Sequence, residues 1–219
     1  MVPPESLGPG PGGGGLEAAL NAARRGELGA FNTLVETFQR QVFNVCYRTL
    51  GNTEDAADVT QETFLSAFRG LKTFNGSATG LRGWLLRIAV NACYDQLRRR
   101  QRRPADSLDA LSAVDAEPGA LSAAERLADP APDPEQRSLS AESARTIQQA
   151  IDSLPPDQRL TVILCDVQDM SYDEAAHIMS VELGTVKSRL SRARAQLRSV
   201  LVEKGELPAR SARLQERNT

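Results

Sequence analysis

The strongest constraint on the fold lies in residues 171–201, SYDEAAHIMSVELGTVKSRLSRARAQLRSVL, which carry two helical patterns separated by a tight turn. Ser171 followed three residues later by Glu174 is a capping box, which predicts the start of the first helix. Polar Ser180 interrupts this pattern, and a longer helix is predicted from about Glu182. In that helix the apolar side chains recur at steps of three or four and share one buried face: Val186, Leu190, Ala193, Leu197 and Leu201.

The opposite face of the second helix carries short polar and basic side chains: Thr185, Ser188, Arg189, Arg192 and Gln196. This layout is typical of a helix-turn-helix, whose second helix enters the DNA major groove. The alternative is a surface hairpin with a merely solvated face. Residues 182–217 contain nine Lys or Arg against four Glu, although the whole chain has a net charge of -2. Solvated faces usually mix signs, so the bias favours nucleic-acid binding.

Composition narrows the class and the compartment. The 219 residues leave room for one large or two small domains, and 5% aromatic content suits small helical cores. No apolar run approaches the roughly 18 residues of a membrane span. Residues 1–15 are rich in Gly and Pro and lack the features of a signal peptide, which predicts a disordered tail and a cytoplasmic chain.

Cysteine and histidine usage gives little sign of a metal or cofactor. Cys46, Cys93 and Cys165 lie far apart within apolar helical patterns, so we expect buried free thiols, with a redox switch through two of them as the alternative. His177 is the only histidine and is expected on the first helix of the hairpin, partly exposed. No metal site and no cofactor are predicted.

The charge map divides the chain. Residues 82–103 contain seven Arg and one Asp, whereas residues 104–136 contain eight acidic residues and one Arg. The acidic stretch has no apolar period, so residues 104–133 are predicted to be a flexible linker. The prediction is an all-α chain of two small helical domains, residues 16–103 and 134–201, followed by a tail at 202–219. The linker could serve solubility alone, or occupy a basic channel in place of a nucleic-acid strand.

The third helix of the N-terminal domain, capped by Asn52, is predicted to present an acidic face. It is expected to bury Ala57, Phe64, Leu65 and Phe68. It leaves four polar side chains outside: Asp55, Asp58, Gln61 and Glu62. An acidic face near a basic block favours a protein partner over DNA.

A Gly-rich loop, residues 73–80, precedes a fourth helix predicted from about Leu81 to Arg103. Four side chains share its polar face: Arg87, Asn91, Tyr94 and Arg98. Basic, amide and aromatic groups beside such a loop suit single-stranded DNA. Trp84 has the alternative interpretation of plain core packing.

Two blocks resemble the bacterial RNA polymerase sigma factors of the extracytoplasmic-function (ECF) group. DAADVTQETFLSAFRGLKTF and GWLLRIAVNACYDQLRRRQRR resemble regions 2.2 to 2.4, and LPPDQRLTVILCDVQDMSYDEAAHIMSVELGTVKSRLSRARAQLRSVL resembles region 4. The resemblance covers about residues 16–103 and 134–201. Region 3 of larger sigma factors has no counterpart except the linker.

The resemblance implies a non-enzymatic subunit that binds core RNA polymerase, directs it to promoters and promotes strand opening. The polymerase clamp coiled coil would be bound by Asp55, Asp58, Gln61 and Glu62. The −10 element, with one base flipped from the non-template strand, would be bound by Lys72, Phe74, Asn75, Gly76, Ser77, Ala78, Arg87 and Asn91. The −35 duplex would be bound by Thr185, Lys187, Ser188, Ser191 and Arg192. The linker would thread toward the RNA exit path.

The resemblance also implies an anti-sigma partner and no homo-oligomer. Two departures stand out. The loop is about one residue longer than in many family members and lacks their usual acidic residue, and Glu182 replaces a proline common at the start of the recognition helix. The alternative function is an autonomous helix-turn-helix regulator, for which we find no heptad seam or sensor domain. An enzyme is rejected because no carboxylate pair, nucleophile motif or phosphate loop is present.

Overall fold

The computed structural model describes residues 13–102 and 134–205, and within these ranges every regular element is helical, which confirms the all-α prediction. The predicted linker and most of both predicted tails lie outside the described residues. The eight helices described are α1 (Gly13–Arg24), α2 (Leu28–Leu50), α3 (Thr53–Gly70), α4 (Ala78–Arg102), α5 (Pro134–Asp152), α6 (Pro156–Val162), α7 (Tyr172–Met179) and α8 (Leu183–Glu203). A 3₁₀ turn, Leu71–Thr73, follows α3, and a π turn, Ile163–Val167, extends α6.

Helices α1 to α4 form an N-terminal bundle whose turn chemistry follows from sequence. Gly51 ends α2 with a left-handed backbone, φ 69°, and donates its N–H to Tyr47 O. Asn52 caps α3 by accepting the N–H of Asp55 at 2.9 Å. The predicted cap at Asn52 is thereby confirmed.

Helix α4 starts three residues earlier than predicted, at Ala78 rather than Leu81. Its first turn is stabilised from a distance, because Glu17 Oε2 of α1 accepts the N–H of Ala78 at 2.8 Å. The first N–H groups of a helix have no partner within the helix, so a carboxylate there extends the helix backward. Helix α1 likewise begins at Gly13, inside the predicted tail.

Helix α3 buries a different stripe from the predicted one. Its buried side chains are mostly small: Ala56, Val59, Thr63, Phe64 and Ala67. Leu65 is 50% exposed, Phe68 is 39% exposed and Ala57 is also exposed, so only Phe64 of the predicted set was right. Small residues let α2 and α4 approach closely, and the helical period then turns the larger apolar residues outward.

Helices α5 to α8 form the C-terminal unit, where the predicted capping box is confirmed. Ser171 and Glu174 make the capping box, and Ser180 ends α7 in the left-handed region at φ 55°. Helix α8 buries Val186, Leu190 and Ala193, whereas Leu197 and Leu201, predicted for the same buried face, are only half-buried.

The three cysteines are buried free thiols, as expected. The neighbouring Cys46 thiol of α2 and burial raise the pKa of the Cys93 thiol of α4.

The two units pack against each other at the end of α2. The last carbonyls of a helix lack partners within it and carry its negative dipole end. Here Thr49 O accepts from Arg159 at 2.7 Å, and Leu50 O accepts from Arg100 at 2.9 Å. Gln148 donates to Arg48 O at 3.3 Å. Two of these donors, Arg159 and Gln148, belong to the C-terminal unit, so that unit caps a helix of the N-terminal bundle.

Candidate polymerase and nucleic-acid interfaces

The acidic face of α3 is divided between solvent and α4. Asp58, Gln61 and Glu62 are exposed. The side chain of Asp55 is 24% exposed, forms an ion pair with Arg100, and accepts a hydrogen bond from Gln96 at 2.8 Å. Burial lowers the pKa of Arg100. Asp55 therefore ties α3 to α4, while the other three side chains are free to face a partner.

Two apolar side chains continue this face. Leu65 and Phe68 follow Gln61 at helical steps of four and three, and both are exposed. Phe68 packs edge-on against Phe31 of α2, with ring centroids 5.0 Å apart. Sequence reasoning placed both residues in the core and so missed this part of the surface. Acidic and amide groups beside exposed apolar groups are suited to a protein partner.

The connection between the 3₁₀ turn and α4, Phe74–Ser77, is called the capture loop here. Phe74 stacks on Trp84, with ring centroids 4.7 Å apart. Lys72, Asn75 and Ser77 are exposed around it. Ala78, a predicted −10 contact at the start of α4, is only 7% exposed because it packs in the hydrophobic core. Trp84 is half-buried, so it packs against the core and also supports the loop through its contact with Phe74.

Arg24 of α1 is hydrogen-bonded to the backbone of the capture loop. Its guanidinium Nη2 donates to Phe74 O at 2.6 Å and to Gly76 O. Sequence analysis missed Arg24, and no local signal could have identified it, since its partners lie 50 and 52 residues away.

The polar face of α4 lies against α7. Asn91 is exposed, but Arg87 donates to Ser180 Oγ at 3.2 Å, and its Nη1 lies 3.5 Å from His177 Nε2. His177 is exposed on α7, as expected. Arg82 also donates to Gln168 O.

Tyr94 makes a second link between the same units. Its hydroxyl donates to Asp157 Oδ1 at 2.9 Å, and Arg189 pairs with the other oxygen of Asp157 at 2.5 Å. Burial and the Asp157 hydrogen bond raise the pKa of Tyr94. We call this arrangement of α4 against the C-terminal unit the closed interface.

Helix α8 presents its predicted DNA-contacting side chains with differing exposure. Lys187, Ser191 and Arg192 are exposed, whereas Thr185 and Ser188 are half-buried. Ser188 Oγ donates to Thr185 O at 3.0 Å, and Arg192 donates to Ser188 Oγ at 3.4 Å. The structure thus places all five on one side of one helix, three of them exposed and two half-buried.

None of the helices in the described part of the chain is long and apolar enough to cross a membrane. An acidic-faced bundle with a basic helix, followed by a helix-turn-helix, is the arrangement expected of sigma-70-type promoter-recognition proteins. The family models agree: sigma-70 region 2 matches residues 34–103, and sigma-70 region 4 matches residues 144–197.

The relatives narrow the class. The chain is 36% identical over 187 residues to the ECF RNA polymerase sigma factor SigE of Mycolicibacterium smegmatis, covering 84% of this chain and 66% of that protein. It is 36% identical over 179 residues to the ECF RNA polymerase sigma-E factor of Escherichia coli K12, covering 81% of this chain and 90% of that protein. The chain belongs to the ECF sigma factor family, whose members are transcription initiation factors.

Solved structures share the fold. The sigma factor RpoE of Bartonella quintana, solved with the anti-sigma factor NepR, has 27% identity and a TM-score of 0.56, covering 78% of this chain and 96% of that one. CnrH, solved with the cytosolic domain of CnrY, has 23% identity and a TM-score of 0.58, covering 86% of this chain and 98% of that one.

Proposed function

We propose that this chain gives core RNA polymerase its promoter specificity in the cytoplasm and has no active site of its own. The observation that carries the proposal is the coexistence of three faces of different chemistry on one chain. These are the acidic and apolar face of α3, the capture loop with the polar face of α4, and the basic face of α8. We assign them to polymerase, the −10 element and the −35 element.

Polymerase docking is assigned to α3. Asp58, Gln61 and Glu62 supply charge and hydrogen bonding toward the clamp coiled coil, and Leu65 supplies apolar contact beside them. Such a pairing of a charged rim with an apolar centre is typical of protein interfaces. Asp55 contributes by holding α3 against α4, and we keep it in the proposed set for that reason.

Capture of the −10 element is assigned to the loop and to α4. Asn75 and Ser77 offer exposed hydrogen-bonding groups to an unstacked base, and we assign Lys72, Arg87 and Asn91 to contacts with the strand that carries it. Duplex stacking is worth roughly 1–2 kcal/mol per step. Contacts made only with the flipped base stabilise the open state over the closed duplex, so strand opening follows from differential binding.

The −35 element is assigned to α8, where Thr185, Lys187, Ser188, Ser191 and Arg192 share one side. Short hydroxyls and Arg suit base edges and phosphates in a major groove. We place residues 16–103 and 134–201 in two domains that separate for this task, with the acidic linker 104–133 between them. Because Arg87 is bonded to Ser180, we expect this contact to break when the two units bind two separate elements.

An anti-sigma partner is part of the proposal. RpoE was solved with the anti-sigma factor NepR, and CnrH was solved with the cytosolic domain of CnrY. This chain shares their fold. A partner that binds both units at once would hold the closed interface and keep α4 from DNA.

The test is run-off transcription with purified core polymerase on a promoter library, with and without the chain. We expect sequence-selective initiation that needs both components. Asn91→Ala should weaken it, because Asn91 is exposed on α4. Asn32→Ala, at an asparagine that is also exposed but lies on α2, is the matched control. Absence of core-dependent initiation, with tight DNA binding by the chain alone, would instead support the autonomous regulator.

A further inference from the structure

Helix α1 fixes both ends of the capture loop. Arg24 Nη2 donates to the carbonyl oxygens of Phe74, at 2.6 Å, and Gly76. Its Cζ lies 5.4 Å from the centroid of the Phe74 ring, a distance at which a guanidinium is attracted to the ring. At the other end Glu17 accepts the N–H of Ala78 at 2.8 Å. One helix thus holds the loop at its first residue and at its junction with α4.

The contacts from Arg24 and Glu17 are accompanied by tight packing inside the capture loop. Phe74 and Gly76 are half-buried, whereas Asn75 and Ser77 are exposed. A Cβ on Gly76 would lie 2.5 Å from the Phe74 ring, closer than real contacts allow. The backbone therefore follows one path over the ring, and the Arg24 bonds to two alternate carbonyls define which side chains point to solvent.

We propose that Arg24 and Glu17 are positioning residues for base capture at the −10 element. The inference rests on the proposed function and adds two residues to it. Both lie outside the span that matches the region 2 family model, residues 34–103. Neither needs to touch DNA. They order the loop before the base arrives, so that its conformational entropy is not lost on binding.

The first test uses the free chain. Trp84 is the only tryptophan and stacks on Phe74, the ring that Arg24 contacts. Its fluorescence therefore reports whether Arg24 holds Phe74 in place. Arg24→Ala should shift Trp84 emission to longer wavelength and increase quenching by iodide. Arg25→Ala removes the same charge from an exposed neighbour that pairs with Glu27, and its spectrum should match wild type.

The second test measures promoter preference with core polymerase and two libraries, one randomised in the −10 element and one in the −35 element. Losing charge-assisted bonds to two carbonyls should reduce the −10 preference of Arg24→Ala roughly tenfold. The −35 preference and the Arg25→Ala variant should stay at wild-type values. Glu17→Ala should act in the same direction, and Glu17→Gln should restore preference because its amide oxygen still accepts the Ala78 N–H.

The outcomes distinguish a failure of the positioning role from a failure of the proposed function. Unchanged −10 preference in Arg24→Ala, on an active wild-type background, overturns this inference and leaves the proposed function standing. An equal decrease on both libraries assigns Arg24 to general stability and also overturns it. A wild-type chain that is inert with core polymerase overturns the proposed function, and the positioning role with it.

Discussion

Removal of one hydroxyl from the closed interface should open the free chain. Tyr94→Phe deletes the hydrogen bond to Asp157 and leaves Asp157 paired with Arg189. A hydrogen bond to a charged group contributes about 1.5–3 kcal/mol. The Asp157 side chain is 47% exposed, so solvent screening reduces this to about 1 kcal/mol. The equilibrium between closed and open forms should therefore shift about fivefold toward the open form.

Two measurements report that shift. Dyes on cysteines introduced at Gln39 and Ser199, both exposed and on opposite units, should show lower energy transfer in Tyr94→Phe. The three native cysteines are buried, so labelling is directed to the introduced ones. Binding of a single-stranded oligonucleotide with the selected −10 sequence should tighten about fivefold, because apparent affinity scales with the fraction of competent chains.

The matched control is Tyr47→Phe, which removes the same atom from a half-buried tyrosine that stacks on Phe43 within α2. It should leave both energy transfer and DNA affinity unchanged. Equal values for Tyr94→Phe and Tyr47→Phe would refute the reasoning, since they would mean that the Asp157 bond does not govern closure.

Two further predictions concern the stability of the folded chain, one through packing in the capture loop and one through the pH dependence of the Ser171 capping box. Gly76→Ala should lower the melting temperature by the equivalent of about 1–3 kcal/mol, because the added Cβ would lie 2.5 Å from the Phe74 ring. Gly80→Ala is the control, since Gly80 lies on α4 with open space around it, and this variant should be neutral or stabilising. Equal melting temperatures for the two variants would contradict the close packing of Gly76 against Phe74. Glu174 has a pKa below its ordinary 4.5 because Ser171 donates to it, so its stabilising contribution is complete above pH 4.5 and is lost as the pH falls through the lower folded value. The advantage of wild type over Glu174→Gln in thermal melting should therefore be seen at about pH 7 and shrink below pH 4.5, whereas a constant difference would assign it to the cap geometry alone.

Local chemistry is what the sequence predicts well here. The Ser171 capping box and the Asn52 cap depend on residues three positions apart, so both could be predicted without a fold. The start of α4 could not, because the carboxylate of Glu17 that sets it is 61 residues from Ala78. The outward position of Leu65 was missed for a related reason. Apolar residues occur on both sides of α3, and the choice between them is made by how closely α2 and α4 approach.

The predicted site residues show the same division. The side chains assigned to the −35 element share a face of α8 because helical periodicity alone puts them there. The environment of Arg87 depends on the packing of α4 against α7, which periodicity does not specify. A sequence pattern therefore locates the faces proposed to contact DNA, and only the tertiary contacts show that one of them is engaged within the chain.

The closed interface uses the same chemistry that the chain would offer to DNA. Arg87 finds in Ser180 a neutral hydroxyl, a weaker acceptor than a phosphate oxygen. We therefore expect a phosphate oxygen of a nucleic-acid strand to compete with Ser180 for Arg87. Polymerase binding through α3 would leave α4 and α8 available, and fixing their spacing raises the effective concentration of each for its own element. We therefore expect the free chain to bind promoter DNA poorly and the polymerase-bound chain to bind it well. Tyr94→Phe should reduce this difference by raising the DNA affinity of the free chain.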